Sequence, residues 1–203
     1  MRLHGVDLVL VVAVVLLSTL TVGAQDVPGD LVFADPFEPD VVVEGWYMVR
    51  QNTAVADILG PIEDGVDGGS ALVILTNTPA NATLNNLQWS NEFPKPDGSS
   101  EFPWQIHFWI RVKVVPYTVR PIIAMSADPW SGVSTEVTIE TADEWFLVDV
   151  TLDPADFLTS DPLLFIIHMG NPGDEYGENE VWLDDLKVYL LNRETKVNGW
   201  MIF

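Results

Sequence analysis

From Leu31 to Leu191 the chain is a succession of short runs rich in β-branched and aromatic residues, each closed by Gly, Pro, Asn or Asp. Strands punctuated this way bury themselves only by closing into a sandwich or barrel, and they leave no room for a helical layer. The runs predict strands at Trp46–Arg50, Ala71–Asn77, Thr83–Trp89, Trp104–Val114, Arg120–Ser126, Thr135–Glu140, Trp145–Leu152, Leu163–His168 and Glu180–Leu190. Turns fall at Gly65–Gly69, Pro94–Gly98, Asp128–Gly132 and Gly170–Gly173. No long segment has helical period; Asp57 to Asp64 allows one helical turn.

The run Glu180–Leu190 carries the sharpest chemical demand. Side chains two apart share a face of a strand, so Trp182, Asp184, Leu186, Val188 and Leu190 are expected together on the core side. A carboxylate there costs several kcal/mol unless it is paired, bound to a metal or protonated. The alternative puts Asp184 at the strand's rim, bonded to backbone or water.

Around this region the chain divides simply. Residues 1–24 read as a signal peptide: Arg2 gives a positive start, Leu8–Leu17 is an apolar run, and Val22-Gly23-Ala24 supplies small residues for cleavage. The apolar run is short for a membrane span, so no membrane insertion is expected after cleavage, and the mature chain is expected to be secreted. Residues 25–30 form a lead-in, 31–191 one domain, and 192–203 a tail without alternation.

Cysteine is absent, which excludes disulfides, thiolate metal sites and a lipoprotein anchor. With 9 Lys and Arg against 30 Asp and Glu, the formal charge is -21, and Arg2 and Asp7 cancel, so the mature part keeps all of it. Such a field repels nucleic acid and anionic membrane surfaces and draws divalent cations; it also suits a salt-adapted, well-hydrated surface.

The order of motifs resembles the carbohydrate-binding modules of families four, nine and twenty-two, which share the galactose-binding-like jelly roll. Phe37-Glu38 precedes Gly45-Trp46, and Gly68-Gly-Ser-Ala-Leu72 opens a strand. Phe108-Trp-Ile-Arg111, Glu144-Trp-Phe-Leu-Val-Asp-Val150 and Trp182-Leu-Asp-Asp-Leu186 follow in the same order. The opening differs, with Asp35-Pro36 where those modules carry Asn and Gly. The resemblance implies an all-β jelly-roll sandwich, a non-catalytic carbohydrate-binding role, and a structural calcium ion. Its ligands would be Glu38, the Gly68–Gly69 turn and Asp184, with Asp185 as the neighbouring alternative. Asp64 and Asp67 could add oxygens or be ordinary turn residues. It also places Trp145 and Trp182 in the core.

Three functional classes are open. A carbohydrate-binding module for a polysaccharide or surface glycan needs a ring for stacking among hydrogen-bonding groups. The odd face of Trp104–Lys113 offers this through Gln105, His107, Trp109 and Arg111, with loop-borne Trp130 and Trp89 as further contacts. The alternative for that face is a solvated surface with Trp109 covered by a loop. The second class is an extracellular adhesion or structural sandwich with a protein partner. The third, a small glycan hydrolase or lyase, would use two carboxylates, but no nucleophile elbow, zinc-binding His-Glu-x-x-His or phosphate loop is present.

Overall fold

The protein is described from a computed structural model covering residues 29–41, 43–50, 54–78, 87–127, 131–157, 162–169 and 177–191. The expected signal peptide, most of the lead-in, the tail and Trp130 lie outside the described residues. Those residues form twelve strands: β1 Gly29–Asp35, β2 Tyr47–Arg50, β3 Val55–Glu63, β4 Ser70–Thr78, β5 Leu87–Phe93, β6 Trp104–Val112, β7 Tyr117–Met125, β8 Gly132–Ser134, β9 Val137–Ile139, β10 Phe146–Leu152, β11 Leu163–Met169 and β12 Gly177–Leu191. Among the described residues, no helix is long and apolar enough to cross a membrane.

The strands pair in two antiparallel sheets. Sheet A runs β10-β6-β12-β4-β3, with β1 also on β12; sheet B runs β2-β5-β11-β7-β8, with β9 also on β7. The sheets face each other across one apolar core, the β-sandwich expected from the sequence. Strand β6 shows the logic most clearly. Trp104, Ile106, Phe108, Ile110 and Val112 are fully buried, while Gln105, His107, Trp109 and Arg111 alternate on the outer side at intermediate exposure. From sheet B, Leu163, Phe165, Ile167 and Met169 of β11 meet them.

Strands β1 and β8 are not among those expected, β1 beginning within the expected lead-in, and three further differences bear on the site. Residues Val55–Glu63 are an edge strand rather than a helical turn. Gly60-Pro61 looks like a break in sequence, but an edge accommodates it through a bulge between Ile58 and Gly60, with Gly60 at φ 83°. Strand β5 runs on to Phe93 instead of stopping at Trp89. Ser90 and Asn91 are buried there, and Asn91 Nδ2 donates to the Glu44 carbonyl at 3.0 Å, so their polar groups do not end the strand.

The third difference is in β12. A bulge between Asp184 and Lys187, with Asp185 at φ 47°, reverses which side chains face inward. Val181 and Leu183 face the core before it, and Leu186, Val188 and Leu190 after it. The single apolar face expected from Trp182 to Leu190 therefore holds only for its second half. Trp182 points out of the sandwich.

Candidate functional site

The bulge positions the first candidate site. Along one side of β12, β4 pairs as far as Leu183 and β1 begins at Leu186. At Asp184–Asp185 that side has no strand neighbour, and the turn between β3 and β4 fills the gap. Asp184 is 5% exposed. Its Oδ2 accepts from Val66 N at 2.8 Å and its Oδ1 from Asp185 N at 2.7 Å. Burial raises the Asp184 pKa, and the Asp185 and Glu38 charges push it further. Glu38 leans on the other side of the turn, where its Oε1 accepts from Ser70 N at 3.0 Å.

Glycine is required for both approaches. A Cβ on Gly65 would stand 2.8 Å from Asp184 Oδ2, and one on Gly69 would collide with Glu38 Oε1. Both carboxylates are flanked by a non-glycine residue held at positive φ, Phe37 at 54° and Asp185 at 47°. Such conformations cost on the order of 1–2 kcal/mol each and concentrate where a site imposes them.

Glu38, Gly69 and Asp184, expected together from the sequence, thus meet on one turn, with Gly68 in the same turn at φ 81°. Asp185 is drawn aside into an ion pair with Lys187 at 2.7 Å. Asp64 is drawn off similarly, to Arg111 at 2.8 Å. Among the described residues no group of three or more His, Asp or Glu side chains gathers as a metal centre. Two carboxylates facing one turn are nonetheless a donor set that a hard, oxygen-seeking ion fits.

The second candidate is the outer face of sheet A. All four residues expected from β6 lie on it. Trp109 stands between Leu147 of β10 and Asp184 of β12 in register, and His107 between Asp149 and Lys187. Their polar groups are largely engaged with neighbours. Gln105 Nε2 donates to Asp149 Oδ1 at 2.6 Å. Arg111 is covered by the Trp182 ring at 4.1 Å and the Trp145 ring at 4.9 Å, besides its bond to Asp64. Trp145 and Trp182 are therefore not core residues. They clamp a guanidinium on the outside, and Trp182 Nε1 donates to Glu180 at 2.7 Å. A cleft of about 500 Å³ opens near one end of this sheet, between Val55, Asp57, Leu75 and Lys113, and no aromatic ring lines it among the described residues.

Trp89, expected as an exposed contact, is 5% exposed. It faces the core and stacks on Trp46, centroids 5.0 Å apart and planes 4° apart. Trp46 in turn donates to buried Asp35 at 2.6 Å. The ring that ends the apparent strand in sequence lies mid-strand in the fold.

The third candidate, the outer face of sheet B, was not anticipated. Pairing aligns Tyr47, Ser90, Ile166, Ile122 and Ser134 in one row across five strands. Val49, Gln88, His168 and Arg120 form the row on one side, and Glu92, Leu164, Ala124 and Gly132 the row on the other. Ala124, Leu164 and Ile166 form an apolar cluster separate from the core, with Ile122 packed against it. Leu164 is only 3% exposed although it points away from the core. Tyr47 borders the cluster; burial, with the Glu92 charge second, raises its pKa. Arg120 pairs with Glu136. The alternation Leu164, Ile166, His168 against Arg120, Ile122, Ala124 was the available signal, and it lay hidden in runs that read as wholly apolar.

No protein-family model matches the sequence, and no curated protein matches it. Solved structures do. The CBM22-1 xylan-binding domain from Paenibacillus barcinonensis superposes with a TM-score of 0.53 at 13% identity, over 81% of this chain and 96% of that one. The family 11 carbohydrate-binding module from Clostridium thermocellum, in complex with a β-1,3-1,4-mixed-linked tetrasaccharide, gives 0.53 at 15%, over 80% and 96%. An α-L-arabinofuranosidase, MgGH51, gives 0.56 at 13%, over 82% of this chain but 27% of the enzyme. The chain has the β-sandwich fold of carbohydrate-binding modules.

Proposed function

We propose that this chain is an exported, non-catalytic carbohydrate-binding module that holds a neutral glycan against the outer face of sheet B. The observation that carries this is the sheltered apolar cluster Ala124, Leu164 and Ile166, extended by Ile122 and bordered by Tyr47, Gln88, Arg120 and Glu92. A pyranose has an apolar face and a rim of hydroxyls, and an apolar floor with hydrogen-bonding edges complements it. The fold shared with a xylan-binding domain and with a module in complex with a β-1,3-1,4-mixed-linked tetrasaccharide supports the reading. The charge of -21 opposes a polyanionic glycan and favours a neutral one.

Hydrolysis needs two carboxylates flanking one bond. Among the described residues this face carries Glu92 and Glu136, and Glu136 is tied to Arg120, which supports binding without turnover. A calcium ion would be held by Glu38 and Asp184, with main-chain carbonyls and water completing its shell. It would neutralise the two carboxylates and brace the turn that closes the gap beside β12.

The outer face of sheet A is the second reading, favoured by the half-buried ring of Trp109 among His107, Gln105 and Arg111. Isothermal titration with xylohexaose and with a mixed-linked glucan tetrasaccharide separates the two. Tyr47→Ala should weaken binding several-fold while Trp109→Ala leaves it unchanged. The reverse pattern moves the site to sheet A, and no binding of any neutral glycan by the parent ends the carbohydrate reading.

A further inference from the structure

The cleft at one end of sheet A gathers apolar side chains that the rest of that face keeps covered. Pairing sets Asp57 of β3, Leu75 of β4, Glu180 of β12 and Lys113 in one row across the outer side. Val55, Asn77 and Glu178 form the next row on the same side. Four strands leave three gaps of about 4.8 Å, so the cleft runs roughly 14 Å across the sheet. Val55, Leu75 and Val114 line it and stay open to solvent, at 50%, 38% and 38% exposure. Exposed aliphatic groups gathered in one hollow of about 500 Å³ mark a binding site, where single ones scattered over a surface would not.

The charges of the cleft do not balance. Lys113 is spent on Glu180, Nζ to Oε2 at 2.7 Å, and Trp182 Nε1 donates to the other oxygen at 2.7 Å. Asp57 and Glu178 are exposed, and neither has a hydrogen bond or ion pair among the described residues. They flank β4 from opposite sides, two strand spacings and one two-residue step apart, or about 12 Å between α-carbons. An apolar floor between two unpaired carboxylates complements a ligand with an apolar face and positive charges along its length, and the field of -21 draws such a ligand in. A chain of amino-sugar rings has both properties, and rigid rings lose less freedom on binding than a flexible polyamine.

We propose that this cleft is a second carbohydrate site that takes a cationic amino-sugar chain, its ring faces on Val55, Leu75 and Val114 and its ammonium groups at Asp57 and Glu178. The site is independent of the neutral-glycan face on sheet B.

The probe is the β-1,4-linked glucosamine tetramer, titrated calorimetrically at about pH 5.5, where free amines carry a proton. The parent should bind it, less tightly as salt rises, and should bind the N-acetylated tetramer and spermidine far more weakly. Asp57→Asn and Glu178→Gln keep side-chain shape at exposed positions, so melting should not move. Each should weaken binding about two- to fivefold, as for partly exposed ion pairs, and the double variant about four- to 25-fold. Tyr47→Ala on sheet B should leave binding of the tetramer unchanged. Undiminished binding by the double variant, equal binding of the N-acetylated tetramer, or no binding by the parent overturns the proposal and leaves the sheet B reading to its own test. Loss of tetramer binding in Tyr47→Ala moves the amino sugar to sheet B and overturns it as well. Spermidine bound as tightly as the tetramer overturns the sugar assignment, since the amine alone would then be read.

Discussion

Adding a single methyl group to the turn beside Asp184 should cost far more than its surface position suggests. In Gly69→Ala the new Cβ would collide with Glu38 Oε1, and in Gly65→Ala it would stand 2.8 Å from both Asp184 Oδ2 and the Ser70 carbonyl. Neither carboxylate can retreat freely, since Glu38 accepts from Ser70 N at 3.0 Å and Asp184 from Val66 N at 2.8 Å. Overpacking costs about 1–3 kcal/mol, and losing a hydrogen bond to a charged group adds about 1.5–3 kcal/mol where it breaks. A chain of this size loses about 2–4 °C per kcal/mol, so a variant that both overpacks and breaks the bond should melt about 5–24 °C below the parent. Gly68→Ala is the control: nothing lies within 4 Å of its Cβ, and only φ 81° opposes it. That strain is on the order of 1–2 kcal/mol, so its drop should be smaller. Scanning calorimetry with and without calcium is the assay. If Gly69→Ala melts within about 2 °C of the parent, or above Gly68→Ala, the carboxylates are not held against this turn and the reasoning fails.

Other expectations follow from the same contacts. Calcium at a hundredfold excess over its Kd should raise stability by about 2.7 kcal/mol, and Asp184→Ala should abolish the response; a parent indifferent to calcium and chelator rules the ion out. The calcium effect should grow as pH rises. Protonated Asp184 favours the metal-free fold below its unfolded pKa of 3.8, and that contribution is lost as pH climbs through the raised folded value; a pH-independent calcium effect would contradict this. His168 acts in the opposite sense. Its folded pKa of about 4 lies below the unfolded 6.5, so its contribution is complete above 6.5 and lost as pH falls towards 4. His168→Leu should remove that part of the acid limb. Trp182→Ala should cost about 0.5–2 kcal/mol by uncovering Arg111. In a double-mutant cycle with Arg111→Met the losses should be less than additive, and strict additivity would show the stack to be idle.

The fold was largely legible because alternation survives wherever a strand has one wet face. Strand β6 announced both its faces, and the cluster of Glu38, Gly69 and Asp184 followed from the family resemblance. The failures have a common physical origin: one-residue events that leave composition unchanged. The bulge at Asp184–Asp185 shifted Trp182 from core to surface, and the alternation on either side of a one-residue bulge does not announce it. Asp57 to Asp64 read as one helical turn because Gly60-Pro61 suits an edge strand and not a central one. Trp89 read as a strand end because Ser90 and Asn91 look like turn residues until their buried partners are known. The face of sheet B stayed hidden because β11 is buried on both sides, so its apolar run shows no period and His168 seems incidental.

Chemical-shift mapping of the isotope-labelled protein with the mixed-linked glucan tetrasaccharide tests the central claim most directly. Amide and methyl shifts should concentrate at Tyr47, Gln88, Arg120, Ile122, Leu164 and Ile166, with Gln105–Arg111 of β6 unmoved. Shifts confined to Trp109 and its neighbours, or no saturable shifts with any neutral glycan, would contradict it.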